Sequence, residues 1–168
     1  SASPARPPTI VFSTPVVTFC PAAAPTATLY ILTAVAGFIS SNNTAVGYEA
    51  GRSTTTGIDN VLYGSNAGYA LTDADDNVAL GRSALATDTL GSKSTAVGNG
   101  ALNAQNFTTA TDTYNTAVGY AAGNDVTTGT GNTLIGAAAG DVLTDGDSNV
   151  AVGLAALGSD TRGNFSVA

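Results

Sequence analysis

A short motif recurs along most of this chain at a nearly constant spacing. Copies of the form Asn-Thr/Val-Ala-Val-Gly-x-x-Ala-Gly/Leu fill residues 43–168, and successive copies start 17 residues apart except for one gap of 21. Such regularity is typical of solenoids, in which each copy forms one coil that stacks on the next. The seven copies, named coils 1 to 7, begin at Asn43, Asn60, Asn77, Ser94, Asn115, Asn132 and Asn149.

Two positions of every copy, counted from its first residue, carry only small side chains. Position 5 is always Gly and position 8 is always Ala. Glycine adopts positive φ values and lets a second backbone approach closely, so each coil is expected to contain a tight turn or a close backbone contact. The glycines at position 5 are Gly47, Gly64, Gly81, Gly98, Gly119, Gly136 and Gly153.

Positions 3 and 4 of each copy are both apolar, as in Ala45-Val46 and Leu62-Tyr63. Adjacent residues of a strand point to opposite faces of its sheet, so both faces of this strand need to be covered. One face can fill the interior of the coil. An identical neighbour would cover the other, which makes a symmetric homo-oligomer the working hypothesis. Seven coils at about 4.8 Å each would give a column about 34 Å long.

Asparagine opens six of the seven copies, and acidic residues concentrate in the later half of each copy. Stacked asparagines are expected to form a hydrogen-bonded ladder, and Asn also tolerates left-handed turns, so a turn role is favoured over ligand binding. The acidic residues predict a solvated acidic edge along the stack. They are Asp59, Asp73, Asp75, Asp76, Asp88, Asp125, Asp141, Asp145 and Asp147.

The first 42 residues differ in composition from the repeats. All six prolines lie within residues 1–25, which we interpret as a Pro-rich extended arm, whereas residues 26–42 have the length of one copy and are interpreted as a degenerate capping coil. Because Arg6 is the only charged residue before Glu49, the arm is expected to bury its surface against a partner. Its candidate contact residues are Ile10, Val11, Phe12, Val16, Val17 and Phe19.

Coil 4 carries four extra residues in the segment 107–114. Insertions in solenoids form protruding loops, often on a binding face, so Phe107 and Tyr114 are candidate partner contacts; a passive bulge is the alternative. Tyrosines of the repeats could also contact a partner, and the candidates are Tyr48, Tyr63, Tyr69 and Tyr120.

The composition disfavours several function classes. The chain of 168 residues has no His and carries 12 acidic against 5 basic residues, which removes the commonest general base and metal ligand and disfavours nucleic acid as a partner. The apolar run at 28–38 is too short to span a membrane, and the single Cys20 cannot form an intrachain disulfide. A non-enzymatic, soluble protein without a cofactor is therefore predicted.

Two acidic motifs resemble the opening of a calcium-binding loop: Asp73-x-Asp75-x-Asn77 and Asp145-x-Asp147-x-Asn149. Neither has the Gly at loop position 6 or the Glu at position 12 that such a helix-loop-helix site requires. Solvated acidic turns are the favoured interpretation, and no metal site is predicted.

The units Asn43-Thr-Ala-Val-Gly47 and Asn115-Thr-Ala-Val-Gly119 resemble the head repeats of YadA-like trimeric adhesins and the repeats of tail fibres and other virion proteins of tailed bacteriophages. The resemblance covers about three-quarters of the chain. It implies a left-handed parallel β-roll with three chains around one axis, the Val-type residues inside each coil and the alternate face toward the axis.

The copies are longer than the adhesin unit, and no neck, heptad stalk or membrane anchor follows them. The resemblance therefore favours a trimeric capsid cement or decoration protein on the virion surface, whose arm or base contacts the major capsid protein or another virion protein. The alternative is a receptor- or glycan-binding fibre or adhesin head at a cell surface. Hexapeptide acyltransferases share the Val-Gly-x-x-Ala unit but use a His that is absent here. Glycan-cleaving spikes need a pair of carboxylates across the bond, whereas the carboxylates of this chain are scattered along a Thr- and Gly-rich edge, so both enzyme classes are disfavoured.

Overall fold

The computed structural model describes residues 42–168, and this range forms a stack of parallel β-strands without any α-helix. Seven of its nine strands form one sheet, in the order β1-β2-β3-β5-β7-β8-β9, and β4 and β6 form a separate parallel pair. The predicted all-β parallel solenoid is confirmed. The strands are β1 Thr44–Val46, β2 Val61–Tyr63, β3 Val78–Leu80, β4 Gly91–Ser92, β5 Thr95–Val97, β6 Thr111–Asp112, β7 Thr116–Val118, β8 Thr133–Ile135 and β9 Val150–Val152.

The register of the large sheet follows the sequence repeat. Ala45 lies opposite Leu62, and Leu62 lies opposite Ala79, so positions 2 to 4 of each copy pair with the same positions of the next. The longer coil 4 keeps this register, since Ala96 lies opposite Ala117. One copy is therefore one turn of the solenoid, and the extra residues of coil 4 are accommodated outside the large sheet.

Position 3 of each copy, the middle residue of its strand, points into the coil, and position 4 points outward. Leu62 and Leu134 are fully buried, as are the alanines at position 3 of the coils between them, whereas Tyr63 is 60% exposed. The expectation that the Val-type residues of position 4 lie inside the coil was wrong. The interior is narrow because it also holds the alanines of position 8, so it accepts the Ala or Leu of position 3.

Leucines from different positions fill the interior of different coils. In coil 2 the filling residue is Leu71 at position 12, and a Cβ added to Gly68 at position 9 would lie 2.8 Å from its Cδ1 atom. In coil 3 the filling leucine is Leu85 at position 9, and position 12 is Asp88. Leu85 adopts a φ of 51°, a left-handed conformation that costs about 1–3 kcal/mol, and its complete burial offsets that cost.

The glycines of position 5 make the close backbone contact that the sequence predicts. Gly64 has a φ of 136°, and a Cβ built on it would lie 2.5 Å from the carbonyl oxygen of Gly81 in the next coil. The same contact recurs along the stack as far as Gly136. A larger residue at these sites would therefore meet both an unfavourable φ and a steric clash.

The predicted arm (residues 1–25) and the predicted capping coil (residues 26–42, apart from Asn42) lie outside the described residues. The same holds for the candidate contacts Ile10, Val11, Phe12, Val16, Val17 and Phe19. Within residues 42–168 there is no helix that is long and apolar enough to cross a bilayer.

Candidate functional site

The asparagines of position 1 form a buried ladder through the solenoid. The Oδ1 atom of Asn60 accepts a hydrogen bond from the backbone N–H of Asn77 at 3.0 Å, and its Nδ2 atom donates to the carbonyl of Ala74 at 2.7 Å. The ladder thus connects side-chain oxygens to backbone N–H groups. The left-handed turn lies one residue earlier, as at Asp59 with a φ of 58°, so these asparagines are interior residues and not turn residues.

A second ladder, of threonines at position 13, was missed in the sequence. Thr72 Oγ1 donates to the carbonyl of Thr89 at 3.0 Å, and Thr127 Oγ1 donates to the carbonyl of Thr144 at 3.1 Å. Thr occupies this position in six of the seven copies, and this recurrence could have identified the ladder.

The asparagine ladder is interrupted at coil 4, where Ser94 replaces Asn. Gln105 bridges the gap: its Nε2 atom donates to Ser94 Oγ at 2.9 Å and to Asp88 Oδ2 at 2.6 Å, and its Oε1 atom accepts from Asn115 Nδ2 at 2.9 Å. Thr113 Oγ1 lies 2.5 Å from Ser94 Oγ. All five side chains are buried, so these hydrogen bonds take the place of the hydrogen bonds that the polar groups would make to water.

Asp88 fixes the start of the coil 4 loop. Its Oδ1 atom accepts from the backbone N–H of Gly91 at 3.1 Å and from that of Phe107 at 2.9 Å. Asp88 is fully buried, so it does not belong to the solvated acidic edge on which it was predicted. Phe107 is only 7% exposed, so its ring is not presented to a partner in this conformation; the loop exposes residues 108–110 instead.

Charged and aromatic groups surround the end of this loop. Lys93 Nζ lies 2.5 Å from Asp112 Oδ2, the Tyr114 hydroxyl donates to the same oxygen at 3.0 Å, and Lys93 Nζ lies 5.5 Å from the centre of the Tyr114 ring. The hydrogen bond from Lys93, followed by that from Tyr114, lowers the pKa of Asp112 below its usual value. The hydrogen bond to Asp112 raises the pKa of Lys93. Tyr114 remains 59% exposed and available to a partner.

The carboxylates of the calcium-like motifs connect neighbouring coils. Asp75 Oδ1 accepts from the backbone N–H of Ile58 at 2.8 Å, and Asp147 Oδ1 accepts from that of Thr130 at 2.7 Å. Asn77, the last residue of the first motif, belongs to the buried ladder. Among the residues that the structure describes, no group of three or more His, Cys, Asp or Glu side chains could hold a metal ion.

The outer face of the large sheet is an uncharged surface that runs over all seven of its strands. Positions 2 and 4 project outward from every coil and carry only Thr, Val, Leu, Ile or Tyr. Contiguous apolar surface of this kind typically marks an interaction site. We call it the outer sheet face; its exposed large apolar residues are Val61, Tyr63, Leu80, Val118, Ile135, Val150 and Val152.

Three of the candidate tyrosines are exposed near this face. Tyr48 and Tyr120 occupy position 6 of coils 1 and 5, next to the outer sheet face, and Tyr120 is 67% exposed. Tyr63 belongs to the face itself. Tyr69 differs, because its hydroxyl accepts from Arg52 at 2.9 Å and its ring lies 5.6 Å from the guanidinium carbon.

No protein-family model, curated protein or solved structure matches the chain.

Proposed function

We propose that this protein is a non-enzymatic virion structural protein: a trimeric capsid cement or decoration protein of a tailed bacteriophage, whose arm or base contacts the capsid. The observation that carries the proposal is the outer sheet face, which is uncharged over all seven strands of the large sheet. The virion setting is supported by the resemblance of its repeats to those of phage virion proteins.

The outer sheet face favours copies of the same chain as its partner. Each coil presents the same two positions at the same spacing, so a second copy can match the face coil by coil. Removing apolar surface from water contributes about 25 cal/mol per Å² to the free energy of association. No charged group at these positions would have to be desolvated. Three chains around one axis would cover this face on every copy, which is the arrangement that the resemblance implies.

The N-terminal arm is the proposed capsid contact. Its β-branched and aromatic residues, with Arg6 as the only charge, suit pairing with a sheet edge of the major capsid protein or another virion protein. The repeats would then form a short column on the capsid surface.

Self-assembly is tested by light scattering of the full chain. We expect three times the mass of one chain, and we expect Ile135→Lys to reduce that mass because it places a charge in the outer sheet face. Thr128→Lys adds the same charge at an exposed position away from this face and serves as the control. A folded monomer for the unchanged chain would contradict the trimer. Loss of assembly in the control as well would contradict the outer sheet face as the interface.

The capsid role is tested by deleting residues 1–25. We expect the shortened chain to assemble as before but to lose attachment to the parent particle in co-sedimentation. Attachment that survives the deletion would contradict the arm as the capsid contact and would leave the repeats of the column as the contacting part.

A receptor- or glycan-binding fibre or adhesin head is the second candidate, favoured by the exposed tyrosines. Tyr48 and Tyr120 present their rings at equivalent positions, and aromatic side chains combine apolar surface with a hydroxyl group that can bind a polar ligand. This role predicts glycan or cell binding that survives removal of residues 1–25 and is lost in Tyr120→Ala or after replacement of loop residues 108–110.

A further inference from the structure

The outer sheet face is bounded by two edges that carry different side chains. The residue directly before each copy has a left-handed backbone, as Asp76 does with a φ of 58° before coil 3. Position 6 follows the glycine that ends the strand, and in coil 3 it is Arg82. We call the residues directly before the seven copies the leading edge and those at position 6 the trailing edge. Because the strands of the large sheet are all parallel, each edge stays on its own side of the face along the column.

Asp76, on the leading edge, is an exposed carboxylate without a partner. Its backbone is fixed, since its N–H donates to the carbonyl of Ile58 at 3.1 Å, but within residues 42–168 no group donates to its carboxylate. Asp59, one coil earlier on the same edge, accepts from Asn42 Nδ2 at 2.9 Å. Asp76 is therefore the acid of this edge that is free to bind another molecule.

Arg82, on the trailing edge, is a basic side chain in the same situation. Its exposed guanidinium has no hydrogen-bond or ion-pair partner within residues 42–168, and the three-residue strand β3 separates it from Asp76 in the same chain. The other basic residues that the structure describes each form an ion pair: Arg52 with Glu49, Lys93 with Asp112, and Arg162 with Asp145.

We infer, on the basis of the self-assembly proposed above, that Asp76 of one copy pairs with Arg82 of the next. Three outer sheet faces turned toward one axis form a triangular prism, and each corner joins the leading edge of one copy to the trailing edge of its neighbour. The copies of a closed ring are related by rotation alone, so equivalent coils lie at the same height. At the height of β3 this corner brings a carboxylate to a guanidinium, whose planar N–H groups can bind it in a bidentate manner.

The charges at neighbouring heights are compatible with this corner. Asp59 meets Ser65 at the height of β2, and Lys93 meets Asn99 at that of β5, so each charge faces an uncharged polar group. Arg82 carries the only charge of the trailing edge. A ring with equal heights therefore contains no pair of like charges, whereas a displacement by one coil in one direction would place Lys93 against Arg82.

The next heights add apolar contact and close approach. Tyr114 and Tyr120 meet at the height of β7, and both rings are exposed in the single chain. Aromatic pairs stabilise an interface beyond the area that they bury. At the height of β8, Gly131 meets Ala137, and these small residues let the two backbones approach closely.

Charge reversal in the full chain tests the pairing by sedimentation equilibrium. Asp76→Arg and Arg82→Asp each place like charges together at every corner, so each should raise the concentration at which the assembly dissociates by at least about tenfold. The double variant exchanges the two charges and should recover most of the lost affinity. Asp125→Arg makes the same charge change at an exposed position outside the face and should leave assembly unchanged.

The outcomes separate the pairing from the proposed trimer. Single reversals that assemble like the unchanged chain overturn the pairing and leave the trimer standing. The same holds for a double variant that remains as weak as the singles, or for a control that is weakened equally. A monomeric unchanged chain overturns both.

Carbodiimide crosslinking gives a second measurement that does not depend on affinity. Arg82→Lys keeps the positive charge and supplies an amine, which forms an amide with a carboxylate in contact with it while the carbodiimide takes up the water released. We expect covalent species of two and three chains on a denaturing gel, with a link between positions 76 and 82 identified by mass spectrometry. Adding Asp76→Asn should abolish that link. A link from position 82 to Asp59 instead, or no link between chains, overturns the inference.

Discussion

The Oδ1 atom of Asn132 accepts a hydrogen bond from the backbone N–H of Asn149, one coil further along the stack, at 2.9 Å. The Nδ2 atom of the same side chain donates to the carbonyl of Gly146 at 2.8 Å. One fully buried side chain therefore connects two coils and also joins the two ends of its own coil. Much of the cohesion of this solenoid comes from such polar groups, because the alanine-rich interior offers little apolar surface.

Asn132→Ala should destabilise the solenoid markedly. It leaves the N–H of Asn149 and the carbonyl of Gly146 without partners in the interior, and each unpaired buried group costs about 1–3 kcal/mol, so we expect a loss of about 2–4 kcal/mol. Urea unfolding followed by circular dichroism measures it. Asn99→Ala, at an exposed position, should change the free energy of unfolding by less than about 0.5 kcal/mol. Equal effects of the two changes would contradict the ladder's role.

Gly64 and Gly153 allow steric clash to be separated from backbone strain. Both have φ values near 135°, but a Cβ on Gly64 would lie 2.5 Å from the carbonyl oxygen of Gly81, and one on Gly153 would meet nothing within 4 Å. Gly153→Ala should therefore cost only the strain, about 1–3 kcal/mol. Gly64→Ala should cost clearly more, and thermal unfolding should show this as a larger fall in its midpoint than Gly153→Ala gives. Similar midpoints for the two variants would show that coil spacing adjusts to a methyl group.

The repeat predicted the fold because one copy makes one turn, and the invariant glycines predicted where backbones approach. The orientation of the strands could not be predicted from it, since positions 3 and 4 are both apolar; the space left beside the alanines of position 8 decides that Leu62 points inward and Tyr63 outward. The burial of Asp88 was also missed, because a lone Asp is mostly exposed in proteins. Only the paired replacement of Asn by Ser94 and of an apolar residue by Gln105 indicates its polar surroundings.

The ion pair between Lys93 and Asp112 predicts a pH dependence at the end of the loop. The hydrogen bond from Lys93 lowers the pKa of Asp112, so its contribution to stability is present above the usual pKa of an Asp and is lost as the pH falls through the lowered value. The raised pKa of Lys93 works in the opposite direction, and its contribution is lost as the pH rises through that value in strong alkali. Carboxyl NMR titration should show the pKa of Asp112 rising in Lys93→Ala. Both groups are exposed, so the effect on global unfolding should be small, and an unchanged pKa in the variant would mean that the contact is not kept in solution.

Asp88→Ala should release the coil 4 loop. The change removes the acceptor for the backbone N–H groups of Gly91 and Phe107 and for the Gln105 amide, so three buried donors lose a partner, and we expect a loss of about 3 kcal/mol or more. The Phe107 ring, now buried, should become accessible, and chymotrypsin should cleave after it at a protease concentration that leaves the unchanged chain intact. Mass spectrometry identifies the cleavage site. Asp125→Ala provides the control, because within residues 42–168 its exposed carboxylate accepts only from the neighbouring Asn124, and it should be cut no faster than the unchanged chain. If Asp88→Ala resists cleavage after Phe107, packing of the ring alone holds the loop, and the carboxylate is not what positions it.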